Sequence, residues 1–264
     1  MKIQKHFVAY VDILGFTNYV KENLPTPERP LDLLQQFIGI AKEMNVSNNL
    51  NITAFSDNIV ISMLAEEPIP QLSYDLKYWD FISYMNTVQA CIITVINKLP
   101  IRGAITFGDL YHDKSEVLFG KAFVEAHDLE QLHAYYPRIV VNPKFLDPNT
   151  YLAATKVFAH SGLAKNLPVF NFEQLKRQYP VAHDYDGVLY CNYLSSLYFP
   201  VRHEWAGNSL SVLKDHKNFV ERWLLVTNET NDMSMLRKYT WMKSYHNWFC
   251  GPFEEFHKYI IQDR

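Results

Sequence analysis

Apolar and polar positions along the chain follow two periods, one of two residues and one between three and four, and their order outlines a fold. Residues 6 to 13 (HFVAYVDI) are rich in Phe, Val and Tyr and read as a first strand. After Gly15 the pattern predicts a short helix from about Thr17, and Pro25, Pro27 and Pro30 then punctuate a loop. Leu34, Phe37, Ile38 and Ala41 recur at i, i+3, i+4 and i+7, which predicts an amphipathic helix over 31–45. NITAFSDNIVIS, residues 51 to 62, is two β-rich halves around Ser56-Asp57-Asn58. Asp and Asn supply turn chemistry, so this stretch is a hairpin with Asp57 at its tip.

Pro68 and Pro70 mark a further loop, and a helix follows over about 76–98. PIRGAITFGDLY, 100 to 111, reads as a strand with small residues at Gly103, Ala104 and Gly108. A short strand at 116–119 precedes a helix from about Gly120, and Arg138 to Val141 reads as a buried strand. Beyond 150 the pattern is less regular, with a strand at 187–194 and two helices near 209–228 and 231–260. There is no internal repeat or low-complexity segment. The expected class is α+β, a sandwich of a mostly antiparallel sheet and helices. Residues 1–150 would form its core and 151–264 a C-terminal helical elaboration packed on it, one domain overall.

Composition narrows the class. Of 264 residues 48% are hydrophobic and 15% aromatic, enough for a sizeable core and against disorder. A net charge of −3 gives no global basic field for nucleic acid or an anionic membrane. Cys91, Cys191 and Cys250 stand far apart with no CxxC spacing, against a disulfide framework or zinc ribbon and in keeping with a reducing cytoplasm. The N-terminal apolar run is broken by Asp12, short of the roughly 7–15 residues of a signal-peptide core. No stretch approaches the ~18 apolar residues of a membrane span. The expectation is a soluble cytoplasmic protein with neither nucleic acid nor membrane as partner.

Asp12 lies within a run of β-formers, and an unpaired buried carboxylate costs several kcal/mol or protonates. A basic side chain, backbone donors or a metal ion would compensate it. The expected sheet sets Asp12 at the end of the first strand and Asp57 on the adjacent hairpin. The two carboxylates would then share a cation, Mg2+ or Mn2+, with a nucleotide phosphate completing its shell. In the opposing reading Asp12 pairs with a lysine or arginine and Asp57 is an ordinary turn residue. The backbone N–H groups of Leu14, Gly15, Phe16 and Thr17 open a helix and are placed to cradle a triphosphate. Arg102, at the start of a strand facing this site, is a candidate to contact the triphosphate or stabilise a transition state. Arg138 and Lys121 are further basic candidates, each weighed against a solvated surface role. GAITFGD is no phosphate loop, since Lys-Ser/Thr does not follow Gly108, and His203-Glu204 lacks the second histidine of a zinc helix. The Trp and Tyr stripe at 239–248 reads as core or dimer packing.

DILGFT (12–17), FSDN (55–58), RGAITFG (102–108) and GKAFVEAHDLE (120–130), in that order over roughly residues 5–145, resemble the class III nucleotide cyclases. They resemble in particular the pyrimidine cyclases of bacterial Pycsar antiphage systems, to which Tyr136–Val141 and the aromatic stretch 238–249 are also similar. The resemblance implies a class III cyclase-like, ferredoxin-like sandwich. It implies conversion of UTP, or alternatively CTP, to the 3′,5′-cyclic monophosphate and pyrophosphate, uracil being favoured. The cyclic product would act as an antiviral messenger on a separate effector. Two Mn2+ or Mg2+ ions would be held by Asp12, Asp57 and the Ile13 carbonyl, with Phe16 beside the triphosphate. Because class III sites form between two protomers, a homodimer is implied as well. The base-reading positions are Thr53 and Val117, neither able to make the ionic contacts of a purine pocket. Where the family carries an Asn and a transition-state Arg, this chain has Val124 and Asp128, so the cation must come from elsewhere. Those two residues also favour the competing reading of a catalytically degenerate nucleotide sensor, which the intact aspartate pair opposes. A third reading is a structural ferredoxin-like module that binds a protein partner.

Overall fold

A computed structural model describes residues 2–23, 26, 28–44, 50–65, 72–112, 117–145, 172–198 and 209–263. The loop prolines Pro25, Pro27, Pro68 and Pro70, Glu116 at the start of the 116–119 strand, His203-Glu204 and the boundary near 150 lie outside them.

β1 (Gln4–Ile13) is central because it is apolar on both faces. Phe7, Ala9, Val11 and Ile13 enter one core, and Val8 and Tyr10 another. It pairs antiparallel with β3 (Asn58–Leu64) on one side and β4 (Ile101–His112) on the other. With β2 (Leu50–Phe55), β6 (Ile139–Val141), β7 (Val181–His183) and β8 (Leu189–Cys191) the sheet runs β2-β3-β1-β4-β6-β8-β7, and β5 (Leu118–Phe119) pairs with the end of β4. Among these pairs β4–β6 is parallel and the rest antiparallel. The fold is therefore α+β with a mostly antiparallel sheet.

Helices cover both faces. α1 (Phe16–Asn23), α2 (Glu28–Glu43) and α3 (Leu72–Cys91) close over the first core, where Phe37, Phe81, Ile82 and Met85 are fully buried. Each such side chain contributes about 1.5–3 kcal/mol. α4 (Lys121–His133) lays Ala122 and Ala126 on Val8, Tyr10, Val60 and Leu110 across the other face. The C-terminal part supplies α5 (Phe172–Gln178), α6 (Ser209–Thr230) and α7 (Met233–Cys250). Their aromatic core joins Tyr190 and Tyr193 to Phe219, Tyr239, Trp241, Tyr245 and Phe249, so the stripe at 239–248 is core. Trp241 and Tyr245 stack at 5.5 Å and 5°. This part is not helical alone: β7 and β8 extend the same sheet.

Two helices end earlier than their apolar pattern. After Cys91 the backbone widens into a π turn, Ile92–Ile96, closed by Asn97 at φ 53 with its N–H donating to the Ile92 carbonyl. α7 stops at Cys250 because Pro252 has no N–H with which to continue it. Among the described residues no helix is long and apolar enough to cross a membrane.

Candidate active site

The strand register assembles the site. Asp12 stands opposite Asn58 on β3 and Arg102 on β4, and Asn58 stands opposite Phe55 on β2. Cross-strand partners share a face, so Phe55, Asn58, Asp12 and Arg102 make one row across four strands, on the side covered by α4. The next row inward is Thr53, Val60, Tyr10 and Ala104. At the end of the row the β2–β3 turn carries Asp57, whose carbonyl accepts the Ile13 N–H at 3.1 Å. Two sequence-distant aspartates thus meet at one strand end. Two glycines permit this arrangement. Gly15, at φ 82, turns the chain from β1 into α1. Gly103 lets β4 approach β1, since a Cβ there would lie 2.4 Å from the Tyr10 carbonyl oxygen.

Asp12 is not left unpaired. Arg102 Nε donates to Asp12 Oδ2 at 2.8 Å, and the same nitrogen lies 2.8 Å from Glu130 Oε1 on α4. A guanidinium therefore pairs with Asp12 in the fold, the basic side chain that the sequence reading held open beside a metal ion. Glu130 is fully buried and continues the stripe of Ala122 and Ala126 at i+4 spacing. Burial pushes its carboxyl above the ordinary glutamate range, and Arg102 opposes that rise. Tyr10 donates to Asn58 Oδ1 at 2.7 Å, and Asn58 Nδ2 donates to Asp57 Oδ1 at 3.2 Å. Burial, followed by Glu130, Asp12 and Asp57, pushes the Tyr10 phenol up to about 12, so it stays a donor near neutral pH.

A divalent ion fits what remains. Asp12 Oδ1 and Asp57 Oδ2 accept no hydrogen bond among the described residues, leaving two hard oxygen donors beside Ile13. Among those residues no group of three or more His, Cys, Asp or Glu forms a cage. Mg2+ and Mn2+ often bind through one or two carboxylates, completing the shell with water and substrate phosphate.

The other sequence candidates disperse. Phe16 is buried in the core beneath the sheet and Thr17 is exposed. The Leu14 amide donates to the Pro100 carbonyl at 3.0 Å and so is already engaged within the fold. Thr53 shares the face of Asp12, but its hydroxyl bonds His112 Nε2 at 2.8 Å, and His112 Nδ1 bonds Ser62 at 2.7 Å. Arg138 is 1% exposed and engaged by Asp184, Asp186 and the His133 carbonyl, so it ties β6 to the β7–β8 turn. Lys121, Val124 and Asp128 lie exposed on the outer side of α4, with Val117 just before it. Glu130, Tyr10 and Asn58 escaped sequence reasoning. A carboxylate on an alanine stripe, and a tyrosine two residues before Asp12 on one strand face, were the available signals.

No family model matches the chain, and no curated protein matches it. Among solved structures it is similar to the adenylyl cyclase CyaB from P. aeruginosa, with a TM-score of 0.42 and 17% identity, covering 59% of this chain and 83% of that one. It is similar to the guanylyl cyclase Cya2 at 0.38 and 16%, covering 55% and 78%. For a bacterial light-regulated adenylyl cyclase the values are 0.34 and 19%, covering 55% of this chain and 44% of the other.

Proposed function

We propose that the chain is a divalent-metal-dependent nucleotidyl cyclase that converts UTP to 3′,5′-cyclic UMP and pyrophosphate. The observation that carries this reading is the clamp of the Asp57 carbonyl on the Ile13 amide, which sets the aspartates of DILGFT and FSDN side by side next to Arg102. In the reaction the ribose 3′-oxygen attacks the α-phosphorus in line, its proton departs, and the bond to the bridging oxygen breaks to release pyrophosphate. Divalent ions held by Asp12, Asp57 and the Ile13 carbonyl would acidify the 3′-hydroxyl and neutralise phosphate charge. Arg102, tied to Asp12 through Nε and to the Ala134 carbonyl through one terminal nitrogen, would offer its remaining N–H groups to the phosphates. Tyr10 and Asn58 fix the Asp57 carboxylate. Thr53 is committed to His112 and Val117 is apolar, so neither offers a charged or bidentate contact to a purine edge. Val117, Phe119, Val124 and Leu132 stand exposed along and before the outer side of α4, which supports a second copy docking there to complete the site. The cyclic nucleotide would act on a separate effector in antiviral defence.

The pairing of Asp12 with Arg102 also favours a second reading, a cyclase fold that binds nucleotide without turnover. Purified protein with Mn2+ and equimolar ATP, GTP, CTP and UTP, followed by mass spectrometry of cyclic products, separates the two. Predominant cyclic UMP is expected. Cyclic CMP moves the base assignment, cyclic AMP or GMP overturns the pyrimidine reading, and nucleotide binding without product selects the sensor. Asp57→Ala is expected to lower turnover by about 100-fold or more while the melting temperature holds or rises, because a like charge beside Asp12 is gone. Near-normal turnover of that variant in excess Mn2+ would rule out metal binding by the pair.

A further inference from the structure

The start of α7 lies against the turn that leads from β1 into α1. Asp232 caps this helix, its Oδ1 accepting from the Ser234 and Met235 amides at 3.1 and 3.0 Å. Met235 Cε then sits 3.8 Å from where a Cβ on Gly15 would stand. One turn on is Lys238, half-buried, with its ammonium 6.0 Å from the Tyr135 ring centroid. Among the described residues no carboxylate comes within ion-pairing distance of it. Arg102 repels the ammonium, while Tyr135, Asp232 and Asp12 each attract it more weakly. Burial, and then Arg102, hold it below the ordinary lysine range. Tyr135 directly follows Ala134, whose carbonyl accepts from Arg102 Nη1 at 3.4 Å, so this half-buried ammonium lies over the segment that anchors Arg102 and has no counter-ion of its own, an arrangement that a bound anion would relieve.

We propose that Lys238, carried by α7 of the same chain, binds the phosphates of the nucleotide at the Asp12–Asp57 site. It supplies a cation that α4 lacks, since Asp128 occupies the exposed position there. The natural target is the β- and γ-phosphate portion, which leaves as pyrophosphate and carries most of the charge. A C-terminal helix thereby becomes part of the site that the N-terminal strands build. The assignment rests on the reading of that site as a metal–triphosphate centre.

The test is calorimetric titration of the full chain with inorganic tripolyphosphate, with and without Mn2+. Lys238→Met keeps the apolar stem and removes the charge; it is expected to weaken binding by about tenfold or more and to flatten its salt dependence. Lys238→Arg is expected to stay within about threefold of the parent, which a merely structural lysine would not require. The melting temperature of Lys238→Met should be unchanged or raised, because repulsion with Arg102 is relieved. Parent-like binding by Lys238→Met, or Lys238→Arg as weak as Lys238→Met, overturns the assignment. Asp57→Asn run in parallel isolates the underlying reading. If it leaves the Mn2+ dependence intact while Lys238→Met still weakens binding, the metal site fails and Lys238 stands; the reverse pattern removes Lys238 alone.

Discussion

Replacing Arg102 by Leu tests the electrostatic frame of the site without reference to turnover. Arg102 is the cation that Asp12 and Glu130 share, and their side chains are 23%, 15% and 0% exposed in that order. Removing one partner of a fully buried pair costs about 3–5 kcal/mol. The partial exposure of Arg102 and Asp12 reduces this to about 2–3 kcal/mol near pH 8. For a chain of this size that is a fall in melting temperature of about 5–10 °C. The pH dependence has a definite sign. Burial already raises the Glu130 carboxyl above the value of 4.5 it has when unfolded, and Arg102 is what restrains that rise. Without Arg102 the carboxyl rises further. A raised folded value means that the glutamate's contribution is fully present below 4.5 and is lost as pH rises through the folded value. The deficit of Arg102→Leu should therefore be larger near pH 8 than near pH 5.5. Urea denaturation followed by tryptophan fluorescence, in parent and variant at both pH values, measures it. Adding Glu130→Gln to the variant should recover about 1 kcal/mol or more, because the stranded carboxylate is gone. A variant within about 0.5 kcal/mol of the parent near pH 8, or a larger deficit at the acidic end, would refute the reasoning.

Acid should loosen the packing of α6 on α7. His216 and His246 stack at 5.0 Å and 6° and share a hydrogen bond of 3.0 Å between Nδ1 atoms, with Tyr193 and the Tyr259 carbonyl on their outer nitrogens. Burial lowers His246 to about 4 and His216 also, with Lys217 and Glu221 acting weakly on His246 from nearby. Their contribution is present above 6.5 and lost as pH falls toward 4, at up to about 1.4 kcal/mol per pH unit for each histidine; a urea midpoint that is flat across this window would sink the idea. Gly103→Ala should destabilise by about 3 kcal/mol or yield insoluble protein, because its Cβ would meet the Tyr10 carbonyl oxygen at 2.4 Å; a soluble variant with parent-like melting would show that β4 can shift away cheaply.

Much of the N-terminal half was legible because its signals are local. The run of β-formers in HFVAYVDI marks β1, the Ser-Asp-Asn cluster marks the hairpin tip, and Gly120 marks the start of α4. The pairing of Asp12 with Asp57 followed from placing their two strands side by side. Less was legible where backbone geometry overrides apolar pattern. α3 carries buried residues on nearly every side, so nothing periodic announced the π turn at Ile92–Ile96. β7 and α5 are short pieces whose residues become regular only through pairing and packing.

The sequence by itself determined the class of fold and the strand and hairpin turn that carry the acidic residues, since strand propensity, turn chemistry and glycine position act within a few residues. Tertiary structure alone decided what balances those acids. Arg102 reaches Asp12 through strand register, and Glu130 reaches Arg102 because α4 crosses the sheet. Arg138 and Arg102, both strand-start arginines in the sequence, part company in the same way: one is sealed against Asp184 and Asp186, the other held at the site. Charge interactions act across space among residues far apart in the chain, with strengths set by burial and distance. Neither quantity exists until the strands and helices have been brought together.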